Sequence, residues 1–267
     1  MVRRYPFLLT IPHGGTSVPP EVSGTLALSA GEIAYYSDPA TGTLYHFPDR
    51  VASTLETSVS RMVVDLNRPP YHLPPRYPDG VVKSRTVHGS DIYRDLPDIT
   101  LVHRLLMAHY FPFHAGIDRI LGTGEIALAL DCHSMLPSGP PTHPDAGKPR
   151  PAVCLSNNGD QEGERRPGTL STCPADLITA LADSFREQLP AGTEVLTNRP
   201  FTGGFIINAH YWHMGVPFVQ VEVNRGLYET GSGPGDSVVD KDRAKKTRDL
   251  IWQAFAAFWD GYEGKIS

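Results

Sequence analysis

Ala129-Leu130-Asp131-Cys132-His133-Ser134-Met135 joins an apolar run to a polar cluster within a few residues. The preceding Ile126-Ala127-Leu128-Ala129-Leu130 reads as a buried strand. It ends in an acid, a thiol, an imidazole and a hydroxyl. Ligands in α/β proteins bind at strand ends, so this junction marks a site and not a simple turn. Side chains alternate along a strand, which sends Cys132 into the core and away from Asp131 and His133. Candidate partners are Pro12-His13-Gly14-Gly15, Asp38, Asp65-Leu66-Asn67-Arg68 and Val221-Glu222-Val223.

Outward from this stretch, strands and helices alternate. The sequence predicts strands at 5–11, 59–66, 152–155, 194–196 and 217–223. Helices are predicted at 29–36, 41–55 (broken near Pro48), 99–121 (kinked at Pro112), 174–188 and 238–262. Ser29 is the expected N-cap of the first, with Glu32 completing a capping box. Pro/Gly-rich loops are expected at 71–95 and 137–151, and a polar, Gly-rich loop at 157–172; long loops in compact domains are often functional. The alternation predicts an α/β fold of three αβα layers around a mixed, mostly parallel sheet. No linker composition stands out, so one domain over 1–267 is expected.

The chain has 267 residues and a formal net charge of -5. That balance excludes nucleic acid as a default partner, because phosphate binding needs a basic face. No apolar run reaches membrane-span length. Met1-Val2-Arg3-Arg4 is basic, but Pro6 and Pro12 break the short apolar segment that follows, so no signal peptide is expected. Three irregularly spaced cysteines, Cys132, Cys154 and Cys173, make no disulfide framework. A cytoplasmic location is expected.

Two histidines after strands, His13 and His133, plus a carboxylate and an open position would make a catalytic zinc site. Glu222, inside the apolar Phe218–Val223 run, suits a general base whose pKa burial raises. Simpler readings exist for each. A strand-end histidine is usually a hydrogen-bonding loop residue, and Glu222 between valines also suits a half-exposed edge strand. Asp131 either orients an imidazole or caps a turn. Asp38 also suits a helix terminus, and Arg61 and Arg68 suit surface ion pairs.

Several motifs occur together in one order: Ile11-Pro12-His13-Gly14-Gly15, an Asp after the first helix, Val63-Val64-Asp65-Leu66-Asn67-Arg68-Pro69, Asp131-Cys132-His133-Ser134-Met135, Gly203-Gly204-Phe205-Ile206, and Gln220-Val221-Glu222-Val223-Asn224-Arg225-Gly226-Leu227-Tyr228. The ordered set, from Phe7 to Tyr228, resembles the N-formylglutamate amidohydrolase family. The resemblance implies a zinc-carboxypeptidase-like (phosphorylase/hydrolase-like) fold. It also implies hydrolysis of an N-formyl or other small N-acyl amide on an acidic amino acid. Asp65-Leu66-Asn67-Arg68 is also similar to a segment of aspartoacylase and succinylglutamate desuccinylase. That likeness implies substrate-carboxylate binding by Arg68 and Asn67, with Arg61 beside them.

By the same resemblance His13 and His133 match the metal ligands and Glu222 the base. Zinc carboxypeptidases carry their carboxylate ligand three residues after the first histidine, where this chain has Thr16. Asp38 is therefore assigned as the third ligand. One Zn2+ per chain, or another divalent metal, is the expected cofactor. A small carboxylate-bearing amide is the expected partner. Gly203, Gly204 and His210 are expected to close the pocket, with Asp131 and Ser134 supporting His133. The loops at 71–95 and 157–172 depart from the deformylase pattern, which leaves another N-acyl amino acid as the alternative substrate. Two further readings are a serine hydrolase built on Ser134, His133 and an aspartate, and a non-catalytic ligand-binding relative.

Overall fold

A computed structural model describes residues 3–231 and 233–265; Met1 and Val2 of the basic N-terminal stretch lie outside it. Six strands form one sheet: β1 (Tyr5–Ile11), β2 (Val51–Glu56), β3 (Leu128–Met135), β4 (Val153–Ser156), β5 (Val195–Thr197) and β6 (Phe218–Asn224), in the order β2-β1-β3-β6-β4-β5. The first four in that order are mutually parallel. β4 runs antiparallel to β6 and pairs in parallel with β5. The sheet is therefore mixed and mostly parallel.

The helices are α1 (Pro20–Ser23), α2 (Ala30–Tyr36), α3 (Thr41–Leu44), α4 (Ile99–Leu105), α5 (Phe111–Leu121), α6 (Ala175–Gln188), α7 (Phe205–Met214) and α8 (Lys241–Tyr262). Strand alternation sorts side chains onto two faces. Phe7, Leu9 and Ile11 of β1, Leu130 and Cys132 of β3, and Val219, Val221 and Val223 of β6 pack under α3, α6 and α8. Leu8, Ala129 and Phe218 meet α4, α5 and α7 on the other face. Asp131, His133, Gln220 and Glu222 share the parity of this second face. They lie at its C-terminal edge, where the loops between β2 and α4 replace helices.

The expected capping box is present: Ser29 N–H donates to Glu32 Oε2 at 2.8 Å, and Glu32 N–H to Ser29 Oγ at 3.3 Å. Three local expectations fail. Residues 41–55 form only the short α3 and then β2, because Pro48 removes a donor and Asp49 adopts φ 62°. Residues 59–66, expected as a strand, fold as turns. Val63 and Val64 N–H donate to Ser60 C=O, and Asp65 N–H to Val81 C=O. β2 already occupies the sheet edge, and Val59, Val63, Val64 and Leu66 bury in the second core without extending. Residues 205–214, for which no helix is expected, are helix α7.

Ahead of Pro112, Leu106–Tyr110 takes a π-helical turn. That register absorbs the missing proline N–H without breaking the helical path. Gly15 serves backbone packing: a Cβ there would collide with the Ser58 carbonyl.

Phe255 of α8 centres the first core, with ring centroids 6.4 Å from Phe7, 6.4 Å from Phe47 and 5.8 Å from Phe185. Phe255→Ala is expected to lower unfolding free energy by about 3–5 kcal/mol. Urea denaturation followed by circular dichroism checks this, with an unchanged m-value showing that the effect lies in the native core.

Candidate metal centre and active site

His13 follows the end of β1, Asp38 follows α2, and His133 lies on β3. Their side chains meet in one buried cluster. His133 Nδ1 stands 3.1 Å from His13 Nδ1 and 3.2 Å from Asp38 Oδ2. His13 Nδ1 is 3.5 Å from the same Asp38 oxygen. Four ligands bound tetrahedrally to zinc lie roughly 3.3 Å apart, so these three atoms have the spacing that a zinc ion requires.

The protons sit behind the rings. His13 Nε2 donates to Asp65 Oδ1 at 2.7 Å, and His133 Nε2 to Asp131 Oδ2 at 2.7 Å. A carboxylate behind each imidazole places the N–H there and turns the Nδ1 lone pair forward. Two lone pairs and a carboxylate oxygen then converge, which is unfavourable without positive charge at their focus. His133 reports the same demand. Burial opposes its charge, but Asp131 and Asp38 outweigh burial and hold its pKa well above the ordinary imidazole value.

Asp131 is itself fixed. It pairs in register with Thr10 across β1 and β3, and Thr10 Oγ1 donates to its Oδ1 at 2.7 Å. Tyr45 Oη donates to the His133 carbonyl at 3.0 Å, which fixes the strand behind the ring. Asp38 Oδ2 accepts the Ser134 backbone N–H at 3.2 Å, so Ser134 supports the cluster through its main chain. Among the described residues no hydrogen bond joins Ser134 Oγ to His133, whose two nitrogens face Asp131 and Asp38.

Cations balance the buried acids. Arg61 donates Nη1 to Asp38 Oδ1 at 3.1 Å and Nη2 to Asp65 Oδ2 at 3.0 Å. Lys83, buried at 2 % exposure, pairs with Asp65 at 2.9 Å and also with Asp79. Burial pushes the pKa of Asp65 up, yet Lys83, His13 and Arg61 pull it well below the usual carboxylate range. Asp38 is likewise held low, with His13, His133 and Arg61 overcoming its burial.

Glu222 lies on β6, directly opposite His133 in the β3–β6 register. Gln220 Nε2 donates to its Oε1 at 2.9 Å. Burial pushes the Glu222 carboxyl up to about 7, against the opposing pull of His133. Glu222 and the three-residue cluster line one cavity of about 360 Å3, a volume suited to an amino-acid-sized ligand.

Arg61, Asn67, Arg68, Gly203 and Gly204 line the same cavity. Asn67 is anchored at both amide atoms: its nitrogen donates to Asp131 Oδ2 at 3.2 Å, and its oxygen accepts Ile206 N–H at 2.8 Å. A Cβ on Gly204 would collide with that amide, so glycine is needed where α7 begins. Arg68 pairs with Asp79 at 2.7 Å. His210 is absent from the lining; it stands behind the Asp65–Asn67 segment. Its Nδ1 lies 2.7 Å from Asp118 Oδ1 and its Nε2 2.8 Å from His114 Nδ1. His114 Nε2 donates in turn to the Leu66 carbonyl at 3.0 Å. Burial lowers the pKa of both rings, that of His114 to about 4.

The sequence reading passed over Asp65 as an imidazole partner, along with Thr10, Asp79 and Lys83. Asp65 had a usable signal, an acid closing the apolar run Val63-Val64 as Asp131 closes its own. Lys83 had none, because a lysine in a Pro/Gly-rich loop gives no sign of burial.

The family model described as N-formylglutamate amidohydrolase matches residues 5–229. A curated N-formylglutamate deformylase of Pseudomonas aeruginosa is 32% identical over 141 residues, covering 49% of this chain and 53% of that protein. The match thus spans about half the length of that relative. The crystal structure of N-formylglutamate amidohydrolase from Ralstonia eutropha JMP134 superposes with a TM-score of 0.76 at 20% identity, over 98% of this chain and 96% of that one. A gene product of Agrobacterium tumefaciens aligns with a TM-score of 0.59 at 17% identity, over 95% and 90% of the two chains. These two likenesses establish a shared fold. The match over residues 5–229 decides the relationship: the chain belongs to the N-formylglutamate amidohydrolase family.

Proposed function

We propose that this protein is a metal-dependent amidohydrolase that removes the formyl group, or another small acyl group, from an acidic N-acyl amino acid such as N-formylglutamate. The observation that carries the reading is the convergence of His13 Nδ1, His133 Nδ1 and Asp38 Oδ2 at 3.1–3.5 Å, in one cavity with Glu222. Zinc is the metal that this donor set of two imidazoles and one carboxylate suits best. Held there, a divalent cation supplies Lewis acidity, lowering the pKa of water and polarising the amide carbonyl.

The chain's own residues do the rest. Asp65 and Asp131 hold the imidazoles in register, and Arg61 keeps Asp38 ionised and oriented. Glu222 takes the proton of the attacking water on a carboxylate oxygen. It returns that proton to the amine nitrogen as the C–N bond breaks, releasing the carboxylic acid and the amino acid. A carboxyl group titrating near neutrality is matched to both transfers. The walls supply an excess of cationic groups, which favours an acidic substrate. Three buried, unpaired cysteines suit the reducing cytoplasm, where we place the protein. A serine-hydrolase reading lacks the necessary contact between Ser134 Oγ and His133.

Metal analysis of the purified protein is expected to show one divalent ion per chain, with hydrolysis of N-formylglutamate lost to a chelator and restored by zinc. Activity that is indifferent to chelation would overturn the metal assignment. Glu222→Gln should keep the metal and lose at least about 100-fold in kcat, measured by formate release. Because the base works as the carboxylate, kcat/KM should fall as pH drops through about 7 and level off above it. A pH profile flat from 5.5 to 8.5 would remove Glu222 from the base role.

A further inference from the structure

Six cationic side chains line the cavity: Arg61, Arg68, Lys83, Arg85, Arg150 and Arg225. Their nitrogens are unequally committed. Arg68 donates Nε and Nη2 to Asp79 and Nη1 to the Asn67 carbonyl. Arg225 donates Nε and Nη2 to Glu229 and Nη1 to the Tyr35 carbonyl. Arg61 and Lys83 are clamped between pairs of aspartates. Arg85 stands at the rim, 62% exposed.

Arg150 differs. Its Nε and Nη2 donate to Asp145 at 2.7 and 3.0 Å, while Nη1 has no protein acceptor among the described residues. A guanidinium presents two edges to carboxylates, and Asp145 fills only one. The side chain is 4% exposed, so what remains of its surface lies on the cavity wall. It is also held in place. Its N–H donates to the Pro137 carbonyl at 2.9 Å, and Asn224 Nδ2 donates to the Arg150 and Pro151 carbonyls at 3.0 Å each. Its guanidinium carbon lies 4.8 Å from the Phe201 ring centroid. His143 donates Nδ1 to the same Asp145 at 2.6 Å and lines the cavity beside it. Asp145 stays ionised: hydrogen bonding from Arg150 lowers its pKa to about 2.

We propose that Arg150 anchors the side-chain carboxylate of the substrate and so makes the enzyme select acidic N-acyl amino acids. The inference rests on the amidohydrolase reading above. Arg61 and Asn67 touch the metal-ligand set, so their wall serves the reacting amide and its α-carbon. None of Arg150's partners touches His13, Asp38 or His133, so Arg150 serves a group farther along the substrate. An arginine already ordered by Asp145 and Phe201 loses little freedom on binding, which favours tight and selective recognition.

The test compares wild type, Arg150→Gln and Arg150→Lys on N-formylglutamate and N-formylglutamine, which are nearly isosteric but carry a carboxylate and a neutral amide. Arg150→Gln is expected to lower kcat/KM for N-formylglutamate by about 10- to 100-fold, mainly through KM, and to change N-formylglutamine by no more than about 3-fold, through the charge that Arg150 contributes at Glu222. Arg150→Lys should recover part of the loss. Equal losses on both substrates, or no loss on either, would overturn the role given to Arg150. If the glutamine variant does not fold, the lysine variant carries the same comparison, because it keeps the charge but lacks the second edge. Metal-loaded wild type that hydrolyses neither substrate would instead refute the amidohydrolase reading itself.

Discussion

Two buried carboxylates set the direction of two imidazoles, and the rest of the site depends on that. Asp65 and Asp131, each fully buried, hold His13 and His133 from behind. The forward nitrogens are thereby left as acceptors beside Asp38. Without the rear carboxylates either ring would be free to place its proton between the two nitrogens, and the cluster would close on itself. With them, the focus of the cluster favours positive charge.

That arrangement is electrostatically expensive, and much of the surrounding structure offsets the cost. Burying a carboxylate without a partner costs several kcal/mol. Asp38, Asp65, Asp131 and Glu222 are all buried within one small region. Arg61 bridges the first two, Lys83 neutralises Asp65, and Thr10 and Asn67 donate to Asp131. Glu222 receives only the Gln220 amide and no cation in direct contact among the described residues. Its charge is the least compensated of the four, which is why burial raises its pKa most effectively. The same network thus holds Asp38 ionised beside the two imidazoles and Glu222 near neutrality.

The sheet makes these contacts possible by parity and register. Thr10 faces Asp131, and His133 faces Glu222, because parallel strands β1, β3 and β6 lie side by side in matching register. One-residue alternation then separates Cys132, which packs in the core, from Asp131 and His133, which face the site. The loops between β2 and α4 complete the wall in place of a helix. They bring Arg61, Asp65, Asn67 and Lys83 to the ends of strands that are distant in sequence.

The sequence alone determined the layered α/β class, the strands carrying His133 and Glu222, the capping box at Ser29 and the membership of His13, Asp38 and His133 in one ordered motif set. The class, the strands and the cap are written in short-range pattern: apolar runs, period-two alternation, a cap three residues from its partner; the motif set rests on the resemblance to a known family. Tertiary structure decided the rest. Residues 51–56 became a strand and 59–66 did not, because only one segment could fill the edge beside β1. Asp65 became the partner of His13, Lys83 a buried counter-ion and Arg150 a cavity wall, because charge pairing across loops depends on distances that composition and spacing do not encode.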